Sequence, residues 1–262
     1  MIQHKQMPPL TDSQRALVCD GERVDYLLRE EAYIIQNPAY FPFSLDAVLL
    51  ADFVKLPKKK ALRVMDFCTG GGVIPILLAH RTSARIEGIE IQGPIAEMAQ
   101  RTVKLNGLSH QVTIHQGDIK DLTKPKQEYD LITCNPPFFT FDSSPEQKQA
   151  THLAIARHEI LLSLDQWIAK AGLLLKDKGR LFLVFRTNRL DDLMTQLLSH
   201  HFAIHRMRFV HPKAGQLANM VLVEARYRGG LQGVRVEAPL IVHQEDGTYS
   251  EEMRRIYYGD PA

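Results

Sequence analysis

From Leu62 onward the chain alternates short, continuous apolar runs with longer stretches of helical period. Apolar runs without polar alternation fit strands buried on both faces, and parallel strands need a crossover, usually helical, between them. The runs "LRVMDF", "RIEGIEI", "QVTIHQ", "YDLITC" and "RLFLVF" read as five such strands, with "HRMRFV" and "ANMVLVEA" after them. Helices are expected over Pro94 to Leu105, Ile155 to Leu175 and Leu190 to His200, with Trp167 packed in the core beside Leu164 and Ile168. The pattern predicts an α/β fold: a mainly parallel, seven-stranded, Rossmann-like sheet with helices on both faces.

Before Leu62 the texture differs. "ERVDYLL" and "AYIIQNP" suit a hairpin, and Ser44 is placed to N-cap a helix through "LDAVLLADFV". After Arg228 the chain reads as an extended arm closing in a short helix. These shifts divide the chain into a hairpin and helix over residues 1–60, a core domain over 61–228 and an arm over 229–262.

With 45% hydrophobic and 24% charged residues, the composition is that of an ordinary soluble protein. No apolar run approaches the ~18 residues of a membrane span, so a cytoplasmic protein without membrane association is expected. The three cysteines contain no C-x-x-C pair, which argues against a disulfide framework or a zinc ribbon. None of the 11 histidines has paired metal spacing, so no metal is expected. Nothing implies an obligate protein partner. Between Arg180 and Arg235, however, nine Arg or Lys stand against three Asp or Glu, with four His besides, which points toward a phosphate-bearing partner.

The first core strand runs into "VMDFCTGGGVIPILLA", an acid followed by a glycine-rich turn and a helix. Gly70 and Gly72 allow a ligand to approach the backbone where strand becomes helix. A dinucleotide site is disfavoured, because the third glycine of G-x-G-x-x-G would fall on Pro75. Glu90 closes the second strand, where open α/β sheets place a carboxylate to accept from a ribose diol.

The fourth strand stops abruptly at "NPPFF", Asn135 to Phe139. The same sheet edge carries Gly70 and Glu90, so the motif faces the ligand crevice. An exocyclic amine on an aromatic base is a poor nucleophile, because its lone pair is delocalised into the ring. Two fixed acceptors, the Asn135 side-chain oxygen and the Pro136 carbonyl, can hold both amine hydrogens and favour a more pyramidal nitrogen. The ring of Phe138 then offers a stacking surface for a planar base, worth about 1–3 kcal/mol.

Asp66 with Gly70 and Gly72 resembles motif I of the S-adenosylmethionine-dependent methyltransferases, with Cys68 where glycine is usual. The NPPF motif resembles that of amino-group methyltransferases acting on adenine, guanine or glutamine side chains. "FPFSLDAVLLADF", "CNPPFF", "IARHEI", "RFVHP" and "IYYG" extend the likeness to the bacterial tRNA adenine-N6 methyltransferases that modify adenosine 37 of a valine tRNA, in their Gram-positive-type branch. The resemblance implies a class I methyltransferase fold, S-adenosyl-L-methionine as cofactor and RNA, tRNA in particular, as partner.

By the same resemblance, Asn135, Pro136, Pro137 and Phe138 are catalytic. Asp66, Phe67, Gly70, Gly72, Glu90 and Asp118, with Ser44 and Asp46, form the cofactor set, Asp118 accepting from the cofactor's adenine amine. Phe139, Arg157, Arg206, Arg208 and Lys213 are expected on the substrate side, with His158 and His211 as neighbours. A protein glutamine N5-methyltransferase, an rRNA guanine-N2 methyltransferase and a catalytically silent RNA-binding module remain open as alternatives.

Overall fold

A computed structural model describes residues 7–40, 42–59, 61–123, 125–136 and 163–259. Its centre is β3 (Arg63–Phe67), whose Val64, Met65, Asp66 and Phe67 are all buried. Parallel to it lie β4 (Arg85–Glu90), then β5 (Val112–Gln116) on one side, and β6 (Tyr129–Cys134), then β7 (Leu175–Arg186) on the other. The antiparallel β9 (Met220–Tyr227) pairs with β7, and β8 (Phe202–Lys213) pairs with β9. The order β5-β4-β3-β6-β7-β9-β8 reverses direction of growth between β3 and β6. A crevice opens outside the carboxyl ends of strands at such a switch point.

The two faces of the sheet carry separate apolar clusters. Along β3, Val64 joins one with α2 (Leu45–Phe53) and α3 (Val73–Ala79). Met65 and Phe67 join the other with α5 (Leu164–Leu174) and α6 (Leu190–Ser199), where Trp167, Ile168, Leu193 and Leu197 are buried. Full burial of each such large side chain stabilises by roughly 1.5–3 kcal/mol. Ser163 begins α5 with a capping box shared with Gln166. Leu175, expected as the end of that helix, opens β7 instead by pairing with Tyr129. Residues 155–162 of the expected helix lie outside the described residues.

The N-terminal segment contains α1 (Asp12–Arg15) and the hairpin of β1 (Arg23–Leu27) with β2 (Ala32–Gln36). The hairpin docks on α4 (Gly93–Leu105) and its C-cap, where Asn106 accepts from the Tyr33 amide at 2.8 Å and donates to its carbonyl at 2.7 Å. Arg101 clamps Glu22 at 2.6 and 2.7 Å. The C-terminal arm is less extended than its composition suggests. It adds β10 (Arg235–Val236) and β11 (Leu240–His243) to the sheet, both parallel to β8, and ends in α7 (Glu251–Tyr258). The first apolar cluster therefore draws on Ile34 and Leu50, on Val64 and Leu222, and on Met253 and Ile256 alike.

Candidate functional site

The turn after β3 needs three successive departures from ordinary backbone. Cys68 (φ 55°), Gly70 (φ 52°) and Gly72 (φ 82°) all lie in the left-handed region, which explains why glycine suits the position Cys68 occupies. The Thr69 amide donates to the Ile89 carbonyl and the Gly72 amide to the Thr69 carbonyl, each at 3.0 Å. Gly88 makes room for this loop, because a Cβ there would stand 2.7 Å from Thr69 Oγ1. A Cβ on Gly70 would meet nothing within 4 Å, so the crest of the turn is open to a ligand.

Asp66 lies beneath that turn. It is fully buried, accepting from Thr69 Oγ1 at 2.6 Å and from Thr133 Oγ1 at 2.5 Å. Burial pushes its pKa up to about 7, against the pull of the two hydroxyl hydrogen bonds and with a further push from Glu90. The expected direct cofactor contact through Asp66 is therefore corrected: its carboxylate presents no surface, and it joins the turn to β6. Phe67 needs the same correction, its ring being fully buried in the second cluster.

Glu90 sits at the end of β4 with 6% of its surface exposed. One carboxylate oxygen accepts from the Gly70 amide and the other from the Gln92 amide, each at 3.0 Å. An ionised carboxylate offers about four acceptor positions, so about two remain. Asp118 accepts from the Lys120 amide at 2.8 Å and faces the Lys120 ammonium at 3.3 Å. Ser44 occupies the N-cap position of α2 but makes no capping bond, and its side chain hydrogen-bonds Asp46 instead. Burial raises the pKa of Asp46, opposed by Arg186 at 3.9 Å. Arg186 ends β7, so the start of α2 lies over the same sheet edge.

Phe67 pairs with Cys134 across β3 and β6, which sets Asn135 and Pro136 beside Cys68 and the glycine turn. Both Asn135 and Pro136 are half-buried. The Cys134 thiol, next to Cys68, is held well above the ordinary thiol pKa by burial. Pro137, Phe138, Phe139, Arg157 and His158 lie outside the described residues.

The structure overturns one substrate-side expectation and narrows another. Arg206 is buried, donating from Nε to Glu224 at 3.0 Å and from Nη2 to the Phe53 carbonyl at 2.5 Å, with its guanidinium 3.7 Å from the Phe53 ring centroid. It is a core ion-pair residue, not a phosphate contact. Arg208 has its guanidinium occupied by both Glu252 oxygens, at 2.8 and 2.7 Å, and by the Ala238 carbonyl. Lys213 donates from its exposed ammonium to the Glu245 carbonyl, at 3.1 Å. His211 is fixed by the Gln216 carbonyl at 2.6 Å.

Sequence reasoning missed Thr69, Thr133 and Gly88. Thr133 was detectable as the one hydroxyl interrupting the apolar run of "LITC", directly across from Asp66. Among the described residues no group of three or more His, Cys, Asp or Glu could hold a metal, and no helix is long and apolar enough to cross a membrane.

The model of the methyltransferase small domain matches residues 46–209. A tRNA1(Val) (adenine(37)-N6)-methyltransferase of Porphyromonas gingivalis is 33% identical over 198 residues, covering 73% of this chain and 76% of the relative. The enzyme of the same name from Aeromonas hydrophila is 30% identical over 210 residues, covering 79% and 84%. Among solved structures, one described as a predicted O-methyltransferase from Agrobacterium tumefaciens superposes with a TM-score of 0.64 at 21% identity, covering 83% of this chain and 97% of that one. With its strand order, its glycine turn and a family match over most of its length, the chain belongs to the methyltransferase small domain family.

Proposed function

We propose that the chain methylates the N6 amine of an adenine in tRNA, using S-adenosyl-L-methionine, and does so in the cytoplasm. The observation that carries this reading is the pairing of Phe67 with Cys134, which sets the Asn135–Pro136 acceptor pair beside the glycine turn at the switch point of the sheet. The adenine-37 assignment comes from the names of its relatives, and the residues present fit the cofactor. The open crest at Gly70 leaves room for its backbone-hugging portion, the remaining acceptor positions of Glu90 suit a ribose diol, and Asp118 suits an adenine amine.

The bound cofactor supplies an electrophilic methyl group on a sulfonium. Asn135 and the Pro136 carbonyl hold the two hydrogens of the target amine, turning its lone pair out of the ring plane and toward the methyl. Alignment and fixed dipoles do this work, and no side-chain base is required, because the nitrogen becomes acidic once methylated and loses its proton to water. Phe138 gives the extruded base an aromatic face.

The test is methyl transfer to a transcript of valine tRNA and to the same transcript with guanosine at position 37, followed by nucleoside analysis. N6-methyladenosine in the first and none in the second supports the reading. Methyl groups appearing instead on guanine-N2 of rRNA or on a glutamine-containing peptide would replace it.

A further inference from the structure

A second, strongly cationic cavity of about 170 Å³ lies away from the catalytic edge, lined by side chains from β7, β8, β9 and β10 and from the segment after α2. Arg180, on its wall, pairs with Leu131, four residues before Asn135 along β6. At about 3.3 Å per residue this places the cavity roughly 13 Å down the sheet from the acceptor pair.

The cavity is under-supplied with negative charge. Buried Glu224 is approached by Arg206 at 3.0 Å, Arg226 at 3.7 Å and Arg180 at 4.0 Å, so one carboxylate serves three guanidinium groups. Glu237 supplies a second carboxylate, shared between Arg206 at 3.2 Å and Lys55 at 3.5 Å. Arg235 pairs with Arg206 through the backbone of β10 and β8 and adds a fifth cation to the lining. Five cations against two carboxylates leave a surplus of three positive charges around one concavity. Like charges brought together at low dielectric repel unless an anion joins them.

Two polar atoms in the same lining also lack partners. Arg226 Nε and His205 Nε2 are buried without a hydrogen bond among the described residues. Burial and the neighbouring Arg226 hold the His205 pKa below the usual imidazole range, with Arg180 adding to the effect and Glu224 opposing it. A surplus of positive charge with an unused guanidinium N–H and an unpartnered imidazole nitrogen is what a bound oxyanion would complete.

We propose that Lys55, Arg180, His205, Arg226 and Arg235 form a phosphate-binding pocket that holds a phosphodiester of the RNA at a distance from the reacting base. This rests on the tRNA methyltransferase reading for the identity of the polymer. Guanidinium groups converging from several directions match phosphate geometry better than that of a single carboxylate. The side chains of Lys55, Arg226 and Arg180 are 57%, 38% and 28% exposed, so the cations on this wall are reachable from solvent. The pocket would fix how the RNA lies across the enzyme without touching the base.

The experiment uses the full chain carrying Arg226→Gln together with Arg235→Gln, both remote from the catalytic edge. Calorimetry with S-adenosylmethionine first verifies that the variant is folded and binds the cofactor as wild type does. Affinity for valine tRNA should then fall about tenfold. The slope of log affinity against log salt should flatten by about 0.7–0.9 for each phosphate charge that the pocket no longer neutralises, while the methyl-transfer rate at saturating tRNA is unchanged. In wild type, tRNA should raise the pKa of His205 followed by its ring-proton resonance, which a purely structural cluster would not show. Unchanged affinity and salt slope would overturn the proposal. A His205 response to sodium pyrophosphate but not to tRNA would overturn the RNA assignment in favour of a small phosphate ligand. If wild type methylates no tRNA, yet His205 responds to pyrophosphate, the functional reading fails and the phosphate pocket stands.

Discussion

The Gly70 amide donates to a Glu90 carboxylate oxygen at 3.0 Å, tying the crest of the glycine turn to the end of the neighbouring strand. One side chain thus shapes the turn and also faces the crevice. The carboxylate is held by backbone donors, so under the proposed cofactor reading a ribose diol would meet it already oriented, with little rotamer freedom lost on binding.

Replacing Glu90 by Ala should therefore weaken S-adenosylmethionine binding by about 1.5–3 kcal/mol, the range for hydrogen bonds to a charged group. Glu90→Gln should lose less than the Ala variant. Isothermal calorimetry on both distinguishes these losses, and equal affinity in all three proteins would remove Glu90 from the cofactor site.

Asn135→Ala should lower the single-turnover methyl-transfer rate by ~10²–10³, the scale of one preorganised hydrogen-bonding group. Affinities for cofactor and RNA should hardly move. Wild-type transfer rates in the variant would show that "NPPFF" is a strand terminator with no part in orienting the amine.

Asp66 makes folding stability depend on pH. Its folded pKa, about 7, lies above the ordinary aspartate value of 3.8. The folded state therefore holds this proton more tightly than the unfolded chain does. Its contribution is fully present below about pH 4, is lost as pH rises toward 7 and is constant above that. Integrated over the window, the loss is on the order of a few kcal/mol. Thermal unfolding of wild type against Asp66→Asn between about pH 4.5 and 8, a range that covers most of the ~4 to 7 window, should show wild type losing ground steadily. Parallel curves would place the Asp66 pKa near its ordinary value.

Thr133→Val keeps the shape of the side chain but deletes a hydrogen bond to a buried carboxyl. It should destabilise the fold by about 1–3 kcal/mol and shift the Asp66 pH window upward, because one hydrogen bond lowering that pKa is gone. Chemical denaturation at about pH 5 and about pH 8 reads both effects, which should be larger at the higher pH.

Arg206→Met should act on stability before it acts on RNA. Removing the guanidinium leaves Glu224 without its nearest cation, a loss of about 3–5 kcal/mol for breaking a buried pair. Lys213→Gln, which removes only a solvent-exposed hydrogen bond to the Glu245 carbonyl among those described, should leave the melting temperature within experimental error. Denaturation of both variants checks this, and the reverse ranking would return Arg206 to the surface.

The succession of core strands along the chain was legible because buried parallel strands and their helices carry different periodicities, and the glycine turn, Glu90 and Asn135 lie where those periodicities change. Charge was the misleading signal. Arg206 and Arg208 look like a basic stripe in one dimension, but their partners Glu224, Glu237 and Glu252 arrive from other elements. Composition counts charges without saying which are already neutralised. The same limit hid Thr133, whose partner Asp66 is 67 positions away in the chain. Ser44 shows the converse, a correct position with a different bond, since Asp46 two residues on takes its hydroxyl.

The short strands β10 and β11 lie in succession along one side of the twelve-residue β8, whose other side is taken by β9. Without them β8 would be a long, open sheet edge, the kind of template on which a second chain adds its own strand. A truncation after Gly229 would also strip Leu240, Met253 and Ile256 from the first apolar cluster. Such a shortened enzyme should therefore aggregate through that exposed edge, even though Gly70, Glu90, Asp118 and Asn135 are all still present in it.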